Sequence, residues 1–285
     1  MKVYIQAVSE EFQPDAIAQP YPQYNSQYGV EQDIVVYLEE HKLTTDNIQD
    51  ADWIYLPIFW TRWHVNHGWS VWGRDILQKY VDSLNLDTNK VFTVCQYDDG
   101  PIADLGNATV FLSSRKTDKG IDIPLLASPL ERHNRWEDKN IFASFSGSSR
   151  THPFRHRIWQ SIMVRGTPNV PLYDGNYGTD HFIKLMEYSQ IALCPRGYGG
   201  SSFRFYEAMQ FGTVPFLIGD IDTRPFKQFI DWKSCSFYLD NPDHTGEFLE
   251  AVDQIELKKM SEKLPEAWEK IKYGKWCEYA IKQLN

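Results

Sequence analysis

The chain has 285 residues, with 29 lysines and arginines against 38 aspartates and glutamates, a formal charge of −9. That length accommodates one large domain or two of ordinary size, and buries a sizeable core. The acidic balance excludes nucleic acid or an anionic membrane as the main partner, since both demand a basic face, and leaves room only for a local basic patch that binds phosphate.

Strand-like and helix-like runs alternate from the start. KVYIQAV (2–8) reads as a strand, VEQDIVVYLEEH (30–41) as an amphipathic helix, WIYLPIF (53–59) as a strand and GRDILQKYVDSL (73–84) as a helix. KVFTVC (90–95), ATVFLSS (108–114) and IDIPL (121–125) are further strands. The polar stretch SPLERHNRWEDKN (128–140) breaks the pattern and reads as a linker. Beyond it come the strand and turn IFASFSG (141–147), the helices HPFRHRIWQSIM (152–163) and TDHFIKLMEYS (179–189), and the strand IALC (191–194). The helix SFRFYEAMQFG (202–212), the strand VPFLIG (214–219) and helical segments around 245–270 and 276–284 complete the chain. Such alternation predicts an α/β protein of two doubly wound, Rossmann-like halves. The expected boundaries are 1–130 and 131–270, with a helix in 271–285 that packs back on the first half. A ligand is expected in a cleft between the halves, where strand C-termini and helix N-termini meet.

Cys95, Cys194, Cys235 and Cys277 form no CxxC pair and read as reduced, buried thiols rather than zinc ligands. MKVYIQAVSEEF runs directly into a strand, with neither a signal-peptide apolar region nor a membrane span, so a cytoplasmic protein is expected.

The stretch LCPRGYGGSSFRFYEAMQFGTVPFLIGD (193–220) carries the densest chemistry and admits three readings. As a dinucleotide fingerprint it fails in detail, because GxGxxG from Gly197 requires a glycine where Ser202 stands. As an anion site it is well equipped: Gly199 and Gly200 allow close backbone approach, and Ser201 and Ser202 suit an N-cap. Arg204 in the first turn opposes the helix dipole, which makes sense if a ligand phosphate sits there. Glu207, three residues on, is then available to ribose hydroxyls. The plainer account of Arg204 and Glu207 is a surface ion pair in the weaker order. The third reading is a divalent metal on Asp220 and Asp222, against a simple polar turn.

PRGYGGSSFRFYEAMQFGTVP resembles the signature segment of exostosin-type glycosyltransferases, and the resemblance continues along most of the chain. YGVEQDIVVYLEEHKLTTDNIQDADWIYLPIF resembles the family's N-terminal region. WGRD (72–75) resembles its G-R-D-H element, with Ile76 in place of His, and YDDG (97–100) its H-D-x-G turn. KGIDIPLL resembles its aspartate-hydrophobic-Pro strand, and FSGSSRTHPFRHRIW its F-x-G turn with an arginine-bearing helix. Ser148 and Ser149 depart from the basic residues that relatives often carry.

That resemblance implies a GT-B architecture, an inverting reaction from a UDP-sugar, and no requirement for a bound metal at Asp220 or Asp222. It implies that Gly147, Arg150, Arg155, Gly199, Gly200, Ser201, Ser202, Arg204 and Glu207 bind the donor. A guanidinium suits the diphosphate because it matches phosphate oxygens two at a time. Inversion requires a general base on the acceptor hydroxyl, and Asp98, with Asp99 beside it, follows a strand at the matching position. Trp60, Trp63 and Trp69, in a tryptophan-rich loop after Pro57, are expected as acceptor-sugar platforms, with Asp75 nearby. His64 and His67 lack further zinc ligands at typical spacing. Exostosins are usually membrane-anchored, so this chain is expected to be a free-standing microbial or viral form acting on a glycan. UDP-xylose is favoured over UDP-galactose, UDP-glucuronic acid and UDP-N-acetylglucosamine. The rival classes are a non-catalytic carbohydrate-binding protein on the same fold and an NAD-dependent oxidoreductase.

Overall fold

A computed structural model of the chain describes residues 1–14, 30–127, 129–130 and 134–284. The chain forms two compact units, Met1–Leu126 with Tyr273–Asn285, and Ala127–Lys272. Part of the expected linker, Ser128 and residues 131–133, and the start of the family-like run at Tyr28 and Gly29 lie outside the described residues.

The first unit contains β1 (Val3–Ile5), α1 (Val30–Glu40), β2 (Thr44–Thr45), β3 (Trp53–Tyr55), α2 (Trp60–Asn66) and α3 (Arg74–Ser83). It continues with β4 (Val91–Cys95), β5 (Thr109–Leu112) and β6 (Ile121–Asp122). The strands form one parallel sheet in the order β2-β1-β3-β4-β5-β6. β4 is buried along its whole length, as expected for a central parallel strand covered on both faces.

The second unit contains β7 (Ile141–Gly147), α4 (Pro153–Arg165), β8 (Leu172–Asp174), α5 (Thr179–Tyr188) and β9 (Ser189–Pro195). It ends with α6 (Phe203–Gln210), β10 (Val214–Ile218), β11 (Phe237–Leu239), α7 (Thr245–Glu250) and α8 (Gln254–Ile271). Its parallel sheet runs β11-β10-β9-β7-β8. Helix ends follow local chemistry: Pro153 opens α4 and left-handed Gly166 closes it, while the Asp253 side chain accepts from Ile255 N and Glu256 N to start α8. In both sheets the first strand of the unit lies between its second and third, so strand order reverses there. Such a switch point is where open α/β sheets bind ligands, at the strand C-termini.

α9 (Trp276–Lys282) belongs to the first unit. Trp276 Nε1 donates to Asp33 of α1 at 3.2 Å, and Trp53 Nε1 to the Leu284 carbonyl at 3.2 Å.

The tryptophan-rich segment after Pro57 corrects the sequence expectation. It is not a loop of platforms: α2 directs Trp60 and Trp63, three residues apart, into the core, where they are 0% and 1% exposed. Trp60 Nε1 donates to Thr93 Oγ1 at 2.8 Å, and Trp63 stacks on Phe12 with centroids 4.9 Å apart. Neither ring is available to a sugar.

Candidate active site

In the second unit the switch point falls between β7 and β9, and the predicted donor residues gather there. Gly147 ends β7, and Arg196 and Gly197 follow β9. A Cβ added at Gly147, whose φ is +155°, would lie 3.3 Å from the Phe145 ring, 3.6 Å from Arg204 Nη2 and 3.8 Å from Arg155 Nη1. One at Gly197 would lie 3.5 Å from Arg155 Nη2. Both guanidinium groups therefore approach Gly147, and that of Arg155 also reaches Gly197, where the missing side chains leave room for them.

Arg155 is oriented by the chain around it. Nε donates to the Arg196 carbonyl at 3.1 Å, and Nη1 to the Ser148 carbonyl at 2.9 Å and Thr151 Oγ1 at 3.3 Å. Arg204, in the first turn of α6, donates to the Ser146 carbonyl and lies over the rings of Phe145 and Phe182, at 4.6 and 4.8 Å from their centroids. Its Nε is buried without a partner. Burial lowers the Arg204 pKa to about 10, and lowers that of Arg155, yet both stay protonated at neutral pH.

These cations differ from their neighbours in lacking a counter-ion. Arg135, Arg157, Arg165, Arg196 and Arg224 each pair with a carboxylate. Among the described arginines of this unit, only Arg150, Arg155 and Arg204 have no ion pair, and the last two are substantially buried while Arg150 is exposed. An unpaired buried charge is costly. The charge of Arg155 also disfavours that of Arg204. A dianionic ligand removes both penalties at once.

Glu207 is 1% exposed, its Oε1 has no partner, and burial raises its pKa to about 8. It forms no ion pair with Arg204, so the plainer alternative of a surface pair does not hold: neither residue is exposed and they do not bond. Ser202 adopts the N-cap backbone conformation of α6, but its hydroxyl makes no capping bond. Ser201, Gly199 and Gly200 are buried beside it.

The two aspartates of the candidate metal pair are engaged elsewhere. Asp220 pairs with Arg196, and Asp222 takes a two-pronged bond from Arg224, at 2.8 and 2.9 Å, with Lys227 also in reach. The donor set around them is thus cationic, which does not suit a divalent ion.

In the first unit, Asp98 and Asp99 occupy the turn after β4, closed by Gly100 N donating to the Tyr97 carbonyl at 2.9 Å. Asp98 is half-buried; Asp99 is exposed and ion-paired to Lys116 at 2.7 Å. Position in this turn is fixed from below by Glu31, a residue missed in the sequence. Its buried Oε1 accepts from Gln96 N at 3.0 Å, Thr61 N at 3.0 Å and Thr61 Oγ1 at 2.6 Å. Burial raises the Glu31 pKa to about 7. The same carboxylate supplies the N-terminal acceptor that Phe59 cannot give α2.

Next to this turn Trp69 is 55% exposed, and Trp72 is also exposed. Trp69 stacks on Tyr97 at 6.0 Å, and its carbonyl accepts from Tyr97 Oη at 3.2 Å. Trp69 and Ser70 both hold left-handed backbone, at φ +57° and +69°, a strain that persists only where the surroundings enforce it. The enforcing contact is Ser70 Oγ with His64 Nδ1 at 2.7 Å, while His64 Nε2 donates to the Pro101 carbonyl at 2.9 Å. Burial lowers the His64 pKa to about 4, so the ring is neutral. Asp75 is exposed in the first turn of α3.

The fold is of the GT-B class, two Rossmann-like units each built on a parallel sheet, and the second unit bears an arginine pair without a counter-ion at its switch point. The exostosin GT47 domain model matches residues 59–251, and the chain belongs to that family. It is 21% identical to a probable glucuronosyltransferase 47 A of Physcomitrium patens, over 85% of this chain and 63% of that protein. It is 23% identical to a probable glucuronosyltransferase of Oryza sativa, over 73% of this chain and 59% of that one. Exostosin-1 of Drosophila melanogaster matches more closely, at 41%, but over only 20% of this chain and 7% of its own length. The chain thus spans less than two thirds of these curated relatives. Among solved structures, Anabaena HepE in complex with UDP-glucose is similar with a TM-score of 0.46 and 12% identity, over 99% of this chain and 98% of that one.

Proposed function

We propose that the protein is an inverting glycosyltransferase that moves a sugar from a UDP-sugar to a hydroxyl of a glycan acceptor. The observation that carries this reading is the pair of guanidiniums, Arg155 and Arg204, converging on Gly147 without a carboxylate partner. A diphosphate supplies the missing negative charge, with Arg150 at its exposed edge. Glu207 is the ribose partner: an unpartnered buried carboxyl both accepts from and, when protonated, donates to a hydroxyl pair.

In the reaction the acceptor O–H gives its proton to a base while its oxygen attacks the anomeric carbon, and the bond to UDP breaks with the electron pair leaving on the phosphate. Asp98 is the base; Asp99 is held by Lys116 and serves as its reserve. Developing charge on the leaving group is taken by the two arginines and by the N-terminus of α6, without a metal at Asp220 or Asp222. The exposed Trp69, with Trp72 beside it and Asp75 on α3, receives the acceptor sugar. Support for a UDP-linked donor comes from family membership and from relatives named glucuronosyltransferases and, in one case of Arabidopsis thaliana, a probable β-1,4-xylosyltransferase. Among the described residues no helix is long and apolar enough to cross a membrane.

The test is a panel of UDP-xylose, UDP-glucuronic acid, UDP-galactose and UDP-N-acetylglucosamine with oligosaccharide acceptors, with the product's anomeric configuration read by NMR. Transfer with inversion is expected, first from UDP-xylose. Retained configuration, or no transfer from any UDP-sugar, overturns the reading.

A further inference from the structure

Unused by the reading above, three rings meet where β8, the loop after it and the start of α5 come together. Tyr173 and Tyr177 lie 5.3 Å apart between centroids, Tyr173 and His181 4.6 Å, and Tyr177 and His181 5.3 Å. Tyr177 remains 54% exposed although two rings hold it in position. From this cluster we infer that Tyr177, backed by Tyr173 and His181, is the stacking face for the nucleobase of the bound nucleotide. The inference rests on the donor reading, because it takes the diphosphate to occupy the arginine pair.

Several independent links tie the ring cluster to that pair. β8 runs beside β7 with Tyr173 opposite Ser146 and Asp174 opposite Gly147. The two strand ends are bonded together: Gly175 N donates to the Gly147 carbonyl at 3.2 Å, and Ser149 N and Oγ donate to the Asp174 carboxylate at 2.7 and 2.8 Å. On α5, His181 joins the tyrosines while its neighbour Phe182 lies against Arg204. One continuous surface therefore leads from the guanidiniums to the exposed ring.

The chemistry of that surface changes along its length. At the arginines it is cationic, and at Tyr177 it is a flat π face with no charge, which suits a base better than a phosphate. Space is present as well: a Cβ at Gly178, which has φ +86°, would meet nothing within 4 Å. The buried Nε2 of His181 has no partner in the structure, which leaves a polar atom at the edge of the stack. Base–aromatic stacking is lost on truncation to alanine with a weakening of about 5- to 100-fold.

The experiment titrates the full chain and its Tyr177→Ala and Tyr177→Phe variants with UDP and, separately, with inorganic pyrophosphate, by calorimetry. Tyr177→Ala is expected to weaken UDP about tenfold and leave pyrophosphate unchanged, which also shows that the variant is folded. Tyr177→Phe, which keeps the π face, is expected to bind UDP as the parent does. Equal UDP affinity in Tyr177→Ala overturns the base subsite, and so does an equal weakening of pyrophosphate. If the unaltered protein binds neither ligand, the donor reading itself fails, a result distinct from the other two.

Discussion

Replacing Glu207 by glutamine isolates the charge on the least exposed polar residue of the donor site. The ordinary value for this carboxyl is 4.5, and burial raises it to about 8. The folded state therefore holds a proton that the unfolded state has lost between those two values, and stability falls as pH rises through that window. Below pH 4.5 the group is neutral in both states and contributes nothing. Each pH unit crossed costs about 1.4 kcal/mol, so the burden is about 3 kcal/mol at pH 7 and approaches about 5 kcal/mol at pH 9. Glu207→Gln keeps the shape and removes the ionisation. The variant is expected to unfold at the same temperature as the parent at pH 4, and about 5–10 °C higher at pH 7 to 9. Its UDP affinity at pH 7 is expected to match the parent's, since the carboxamide donates and accepts as the protonated carboxyl does, whereas Glu207→Leu, which does neither, is expected to lose about tenfold. Thermal unfolding across pH, with UDP calorimetry at pH 7, reads both. A stability gap that does not widen with pH refutes the buried carboxyl, and undiminished UDP affinity in Glu207→Leu refutes its ribose role.

Asp98→Asn is expected to lower kcat about 10²- to 10⁴-fold with UDP affinity unchanged; Asp99→Asn is expected to change kcat far less, and the reverse ranking would move the base to Asp99. Trp69→Ala is expected to raise KM for the acceptor about tenfold without moving Tm, whereas Trp60→Ala is expected to destabilise the first unit by about 3–5 kcal/mol; equal effects on Tm would contradict the division between platform and core. Transfer is expected to survive excess EDTA, because Arg196 and Arg224 occupy Asp220 and Asp222; loss of activity restored by a divalent ion would place a metal in the reaction.

Long periodic elements such as α1, α3, α5 and α8 were legible because their apolar spacing repeats over several turns. β2, β8 and β11 span two or three residues, too few to show any period, and they acquire meaning only from their neighbours in the sheet. α2 carries no local signal because its N-terminus is satisfied by Glu31, thirty positions before Thr61 in the chain. No local cap announced it, and the aromatic crowding looked like a binding loop. At the candidate donor site, the Arg204–Glu207 spacing singles out two residues that the fold buries, but it cannot say that they do not bond each other. The guanidinium instead lies against the rings of Phe145 and Phe182. Phe145 was within reach of inference, as the first residue of the F-x-G turn; Phe182 was not, because only the fold brings α5 to β7.

Arg157, ion-paired to Asp243, provides the control for the central claim, that two counter-ion-free arginines take the diphosphate of a UDP-sugar. UDP titrated into the parent protein and into Arg155→Ala, Arg204→Ala and Arg157→Ala variants tests it most directly. Binding by the parent is expected, with a loss of about 10- to 100-fold in each of the first two variants and parental affinity in the third. UDP binding that is absent from the parent, or indifferent to Arg155 and Arg204, would contradict it.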